Sequence, residues 1–323
     1  MKLLLQSHST YPREDACSAA AYDPATFPAA TAVSSAHGSR REAIEDAVRE
    51  QERLGLDVLT NGQPVWWEPL SSAAPAVDGV RVDSLGDWSQ PGYCPQLSVT
   101  GRLRRRCPLT LDDFLTARDA TERPVKPVLP GPYTLARACV TRSELYPTFA
   151  DLAFAWSDIF AAEVADLAGA GASVIQIEEP AILSHPSDMR LLRRLLEPLW
   201  AARGAAQLVL ATYLGDATPL YAQLNSLPVD ILALDLPSSA GLGELIAETG
   251  ASKELALGVV DGRDPQLEHP TVLARSVEKT LKRYALEAVH LLPSCGLHHL
   301  PRERARRKLA LLAETRQLLA PAA

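Results

Sequence analysis

The sequence predicts an α/β protein, a (β/α)8 TIM barrel. Three observations point there: short apolar runs alternate with long helix-like stretches, the runs number eight, and 323 residues suit one large barrel or two modest domains. The runs fall at 2–8, 57–62, 126–131, 173–179, 207–213, 230–236, 254–261 and 288–294. Near-continuous leucine and β-branched residues over such lengths mark parallel strands buried on both faces. Periodicity alone also fits a doubly wound open sheet. The count and the length favour the closed ring, with 1–323 as a single domain.

The elements follow in order. After the first run, 39–55 reads as a helix that opens on Ser39 as N-cap and closes on Gly55, with Ile44, Val48 and Leu54 near one face. The stretch 64–124, between strands two and three, is irregular; it is expected as an insertion covering one mouth, with a hairpin at roughly 96–106 and a short helix from Thr110. Arg104, Arg105 and Arg106 read as a solvated turn. Amphipathic patterns at 148–171, 189–204, 271–286 and 302–319 supply helices, with shorter ones at 217–226 and 241–249. There is no internal repeat, and the final PAA reads as a frayed tail.

Composition narrows the function classes. Hydrophobic residues at 47% and charged ones at 22% are ordinary for a soluble globular chain. A net charge of −7 gives no electrostatic reason to expect nucleic acid or an anionic membrane. No apolar run reaches the roughly 18 residues a span needs. One lysine and a very short apolar stretch at the N-terminus argue against a secretory signal. The cysteines (Cys17, Cys94, Cys107, Cys139, Cys295) are odd in number and spread out, which argues against a disulfide framework and for a cytoplasmic setting.

In such barrels the chemistry gathers where strands end and loops begin. Those positions hold His8, Ser9 and Thr10 after strand one, Asn61 and Gln63 after strand two, and Glu178 and Glu179 at strand four. Strand five ends at Thr212 and Tyr213, strand six at Asp235, strand seven at Asp261 and Arg263, and strand eight at Cys295, with His298 and His299 beyond. Carboxylates, a thiol and imidazoles on one rim suit a polar or metal-assisted reaction. A phosphate cradle is not indicated, since no glycine-rich loop precedes a Lys-Ser/Thr pair. Each position also has a plain reading. A lone cysteine is commonly a small buried hydrophobe, and His298 and His299 default to the surface. Glu178 and Glu179 are harder to dismiss, because two carboxylates ending a buried run are costly unless used or paired. Neighbours on a strand point to opposite faces, so one of the two should face the barrel interior.

Six segments resemble those of the cobalamin-independent methionine synthase family, in the short form that carries only the catalytic barrel. They are STYPR (9–13), AVREQERLGLDVLTNGQ (47–63), KPVLPGPYTLA (126–136), GASVIQIEEPAI (171–182), LGVVDGRDPQLEHP (257–270) and PSCGLHHLPRERARRKL (293–309), in family order and each at a predicted strand end. The resemblance covers nearly the whole chain. It implies a methyltransferase in which zinc holds homocysteine as a thiolate that attacks a methyl donor, as in methionine biosynthesis. It places Cys295 on the family's last cysteine ligand and Asp235 on its glutamate ligand, one methylene shorter. The His-x-Cys pair reads Ala211-Thr212-Tyr213, the amino-binding Asp-Gly-Glu reads Asn61-Gly62-Gln63, and the histidine after strand seven in longer members is Arg263.

Two functions follow as expectations. In the first, a methyl or related one-carbon group moves to a thiol or other small acceptor at an altered zinc and homocysteine site. Glu178 and Asp261 are then the catalytic candidates, Thr10, Gln63 and Glu178 bind substrate, and Cys295 and Asp235 hold the metal, with His8 and His298 as possible extra ligands. The methyl group comes from a small donor or a donor protein. In the second, the barrel has lost catalysis and binds a small molecule or a partner. A third option is metal-free chemistry on the same scaffold, as in uroporphyrinogen decarboxylase-type barrels, whose arginine-rich N-terminal signature is not evident here.

Overall fold

The computed structural model describes residues 1–12, 40–63, 71–84, 96–141, 144–298 and 300–319. Seven parallel strands form the main sheet: β1 (Lys2–Leu5), β4 (Val128–Pro130), β6 (Val174–Glu178), β7 (Gln207–Thr212), β8 (Ile231–Asp235), β9 (Glu254–Val260) and β10 (Ala288–Pro293), in the order β1-β10-β9-β8-β7-β6-β4. The eighth segment closes the ring between β1 and β4. The reading of 57–62 as a full strand needs correction here, because only two isolated parallel bridges form, Gln6 to Val58 and Leu59 to Val125. The cause is local. Gln51 turns its side chain onto the backbone of Thr60, donating to its carbonyl (2.8 Å) and accepting from its N–H (3.0 Å), so the amide takes a strand partner's place. Asp57 likewise caps the N–H of Leu5 at 2.7 Å, and the Thr60 hydroxyl donates to the carbonyl of Ser9 at 2.9 Å.

Helices cover the outside: α1 (Arg40–Arg53), α2 (Leu111–Asp119), α3 (Pro132–Ala138), α4 (Phe149–Gly169), α5 (Met189–Ala202), α6 (Tyr221–Leu224), α7 (Leu242–Thr249), α8 (Pro270–Thr280) and α9 (Arg302–Leu319). Ser39, the expected cap of α1, lies outside the described residues. In α4 a capping box between Thr148 and Asp151 satisfies the first amides. Leu152, Trp156, Phe160, Val164 and Leu167 then bury one stripe. Two apolar layers result. A large one lies between helices and strands and includes Leu208, Leu210, Leu232 and Leu255. A small one, Val58, Val174, Val209, Ala211, Ile231, Ala233, Ala256 and Leu292, takes the alternate strand positions and fills the barrel interior.

The insertion differs from expectation. Residues 96–106 do not fold back on themselves. Gln96–Arg105 is one long strand, β3, paired antiparallel with β2 (Val77–Ser84), and a short β5 (Cys139–Val140) adds parallel to β3. Gly101 faces Gly79 across the pair. Gly79 has φ +84°, and a Cβ there would fall 2.5 Å from the Arg102 carbonyl oxygen, so glycine makes this close approach possible. The arginine triplet ends this strand. Arg105 reaches α4, with its Nη2 2.5 Å from Glu163 and 2.6 Å from Asp166. The helix after Thr110 is α2, as expected. Residues 64–70 and 85–95 of the insertion, on which cover of the mouth depends, lie outside the described residues.

Candidate active site

The C-terminal strand ends form one rim, and side-chain contacts pass along it. His8, just past β1, is buried; its Nδ1 lies 3.0 Å from Ser9 Oγ and 3.3 Å from Glu178 Oε1. Glu178 ends β6, also buried. Its Oε1 accepts from Gln176 Nε2 at 3.1 Å and its Oε2 from the Tyr213 hydroxyl at 2.8 Å. Tyr213, one residue beyond β7, meets the His8 ring edge-on with centroids 5.1 Å apart. Burial by itself would raise the Glu178 pKa. The hydrogen bond and charge of His8, with bonds from Tyr213 and Ser9, outweigh it and hold the carboxyl below the usual range.

Glu179 points the other way. It accepts the N–H groups of Tyr133 (2.9 Å) and Thr134 (2.7 Å) at the start of α3. Burial pushes its carboxyl up to about 7 despite those bonds. A Cβ at Gly131 would fall 2.1 Å from its Cδ, so glycine is required where the carboxylate meets the helix. Of the two glutamates, Glu178 therefore belongs to the rim cluster and Glu179 to the scaffold.

Below Glu178 sits Lys126, fully buried. Its Nζ donates to Gln6 Oε1 (2.9 Å), the Ser7 carbonyl (3.1 Å) and Gln176 Oε1 (2.5 Å). Burial lowers its pKa from 10.5 to about 7, against the favourable charge of Glu178. Sequence reasoning missed Lys126, Gln176 and the role of Tyr213. KPVLPG reads as a strand and as part of a family segment, and neither gives its opening lysine a role. The available signal was its place between Val125 and Pro127, inside an apolar run.

The other candidates lie further around the rim. Asp235, at the end of β8, uses both oxygens on backbone amides, accepting from Leu214 (3.1 Å) and Ser238 (2.9 Å). Leu214 sits at φ +62°, a turn that the carboxylate holds. Cys295 is buried. Desolvation, then the charge of Asp235, pushes its thiol up to about 12. Thr10 Oγ1 lies 2.5 Å from His298 Nδ1, while His299 lies outside the described residues. Gln63, at φ +49°, donates Nε2 to the Val128 carbonyl (3.3 Å), and its Oε1 is buried without a hydrogen-bond partner among the described residues. Asp261 turns to its own loop, accepting from the Arg263 N–H at 2.9 Å. The structure thus gathers His8, Glu178, Tyr213, Gln176 and Lys126 into one network. Thr10 and His298 form a separate pair, and Asp261 stands apart.

The family description "Cobalamin-independent synthase, Catalytic domain" matches residues 10–317. The chain belongs to the cobalamin-independent methionine synthase family. A methionine synthase of Saccharolobus solfataricus is 30% identical over 283 residues, covering 85% of this chain and 83% of its own. A 5-methyltetrahydropteroyltriglutamate–homocysteine methyltransferase of Caulobacter vibrioides is 33% identical over 242 residues, or 72% of this chain and 30% of that longer protein. Among solved structures, a B12-independent methionine synthase from Shewanella sp. W3-18-1 superimposes with a TM-score of 0.80 at 19% identity, covering 98% of both chains. A methyltransferase from Methanosarcina mazei gives 0.68 at 16% identity, over 99% of this chain and 95% of that one. These structural likenesses bear on the fold, and they agree with the barrel.

The zinc of this family finds no matching donor set here. Among the described residues, no three His, Cys, Asp or Glu side chains gather so as to hold a metal ion. Neither His8 nor His298 completes a set with Cys295 and Asp235. His8 is engaged by Glu178 and Ser9, His298 by Thr10, and both oxygens of Asp235 by amides. At the family's His-x-Cys positions, Ala211 packs in the apolar interior and Tyr213 bonds Glu178. The expected ligands Cys295 and Asp235 are near enough for charge to act between them, but they do not make a zinc site with the other described residues.

Proposed function

We propose that the chain is a methyltransferase that moves a methyl or related one-carbon group to a thiol or other small acceptor at the rim around Glu178. One observation carries this reading: a buried carboxylate, held below the usual carboxylate range, between His8 and Tyr213 at the polar side of the barrel rim. Buried charge of this kind is costly, and pairs of ionisable groups in a cleft are typical of sites that bind or transfer protons. The family membership supplies the reaction class.

The chemistry assigned to these residues needs no group beyond them and the substrates. As the methyl group passes to the acceptor, the acceptor's X–H proton is lost and the donor departs with the electron pair of its bond to carbon. In its neutral form, with Nδ1–H turned to Glu178, His8 takes that proton on its other nitrogen, and Glu178 stabilises the imidazolium so formed through the same charge pairing that holds its own carboxyl down. Tyr213 fixes the second carboxylate oxygen. Gln63 Oε1 offers an acceptor to an N–H of the substrate, and Thr10 shapes the opposite side. Asp261 supports its loop. The donor is either a small methyl compound or a methyl-carrying protein, and the reading includes a cytoplasmic setting. No step is assigned to zinc.

The test is methylation of homocysteine, other small thiols and amines, with methylated folate as donor, followed by mass spectrometry. Product formed by the wild type and lost in Glu178→Gln supports the reading. A second reading, a barrel that binds without reacting, is favoured by the loss of the metal and amino-binding residues at Ala211 and Gln63; binding of these acceptors with no product would establish it. One zinc per purified chain, lost in Cys295→Ala, would overturn the metal-free assignment.

A further inference from the structure

We propose that Lys126 is a positioning residue of the rim: it holds the Gln176 amide in a single orientation and thereby aims two N–H bonds at the site above. This rests on the functional reading of Glu178 and deepens it.

Below its pKa of about 7 the Lys126 amine is an ammonium with three donors and no acceptor, whereas a glutamine amide has an acceptor end and a donor end that can exchange by a flip. Lys126 Nζ meets three oxygens: Gln6 Oε1, the Ser7 carbonyl and Gln176 Oε1. The last contact fixes Gln176 with oxygen towards Lys126. Its Nε2 must then face the opposite side, where both partners are acceptors: Glu178 Oε1 and the His8 carbonyl, each at 3.1 Å. A flipped amide would set Oε1 against a carboxylate and a carbonyl, and NH2 against an ammonium. Every contact would be repulsive, so Lys126 selects one rotamer by electrostatics.

The consequence reaches three strand ends. Gln6, Ser7 and His8 continue β1, Lys126 leads into β4, and Gln176 and Glu178 lie on β6. These segments are distant in sequence, with Lys126 119 residues from Ser7 and 50 from Gln176. One ammonium ties them into a fixed arrangement. The groups that feel its charge are Glu178, which favours the ammonium, and His290, whose pKa it helps to lower. Gln6 and Gln176 are neutral, so the polarity of the network runs from cation to anion through a single amide.

The experiment is side-chain amide NMR on the whole chain, with the Gln176 NH2 resonance assigned by through-bond correlations. In the wild type, its two protons should exchange with solvent at least tenfold more slowly than those of an exposed glutamine. In Lys126→Met this protection should fall at least tenfold, and the Glu178 carboxyl, followed through its 13Cδ signal, should titrate at higher pH. Thermal unfolding measured alongside separates loss of orientation from loss of fold. Unprotected Gln176 protons in the wild type would overturn the proposal without any variant. A folded Lys126→Met with unchanged Gln176 exchange and Glu178 titration would overturn it as well. Neither readout uses substrate, so absence of methyl transfer would sink the functional reading alone.

Discussion

The barrel interior has two unlike halves. On β7, β8, β9 and β10 the inward positions are mainly apolar, Val209, Ala211, Ile231, Ala233, Ala256 and Leu292, with His290 below Leu292. Past β1, ahead of β4 and along β6 above Val174, they hold Gln6, His8, Lys126, Gln176 and Glu178, linked by hydrogen bonds. Apolar packing is non-directional, so one half is defined by volume. Polar contacts are directional and cooperative, so the other is defined by who donates to whom. A reactive rim needs the second kind of definition, and the first supplies the wall that excludes water behind it.

The largest expected effect comes from breaking the polar half with a side chain of nearly equal size. Gln176→Leu leaves Lys126, Glu178 and the His8 carbonyl short of partners, and a loss of about 4 kcal/mol in urea unfolding is expected from stranded buried charge. A loss under 1 kcal/mol would mean the network is not a unit.

Next is acid. His290 lies on β10 below Leu292, and burial, with the charge of Lys126 adding, lowers its pKa from 6.5 to about 4. The unfolded chain therefore binds the proton first. Stability is fully present above about 6.5 and is lost as pH falls towards 4, by roughly 3 kcal/mol from a shift of that size. His290→Leu should flatten this slope between those pH values, whereas an unchanged slope would assign it elsewhere.

Third is Glu178→Gln. It keeps the shape and removes the charge, so a fall of about a hundredfold in kcat/KM for methyl transfer is expected, or about 2.7 kcal/mol in transition-state stabilisation. Smallest is Ile231→Val in the apolar half, at about 1 kcal/mol in unfolding with turnover unchanged. If Ile231→Val matched Gln176→Leu in stability cost, the contrast between the halves would collapse.

How much of this was legible depends on how far apart the deciding residues lie in the chain. The strands were readable from runs such as DILALDL, because burial on both faces needs only local composition. The separation of Glu178 from Glu179 followed from strand alternation. The second ring segment was misread as a strand because the Gln51 amide that replaces its ladder sits on a preceding helix. The partners of Lys126 and Tyr213 were unreadable because they come from other strands. The sequence placed Tyr213 at a lost ligand position, but nothing local announced that its hydroxyl would reach Glu178. The same holds for Cys295 and Asp235: sequence put both on the rim, while the amides that occupy Asp235 depend on loop geometry.

The ring is stitched unevenly. Between β1 and β4 it is closed by two single bridges, with the Asp57 and Thr60 side chains bonded to the backbone of Leu5 and Ser9, instead of a ladder. A cylinder with one thin stave parts there first, so deuterium should reach the Thr60 amide well before that of Leu210.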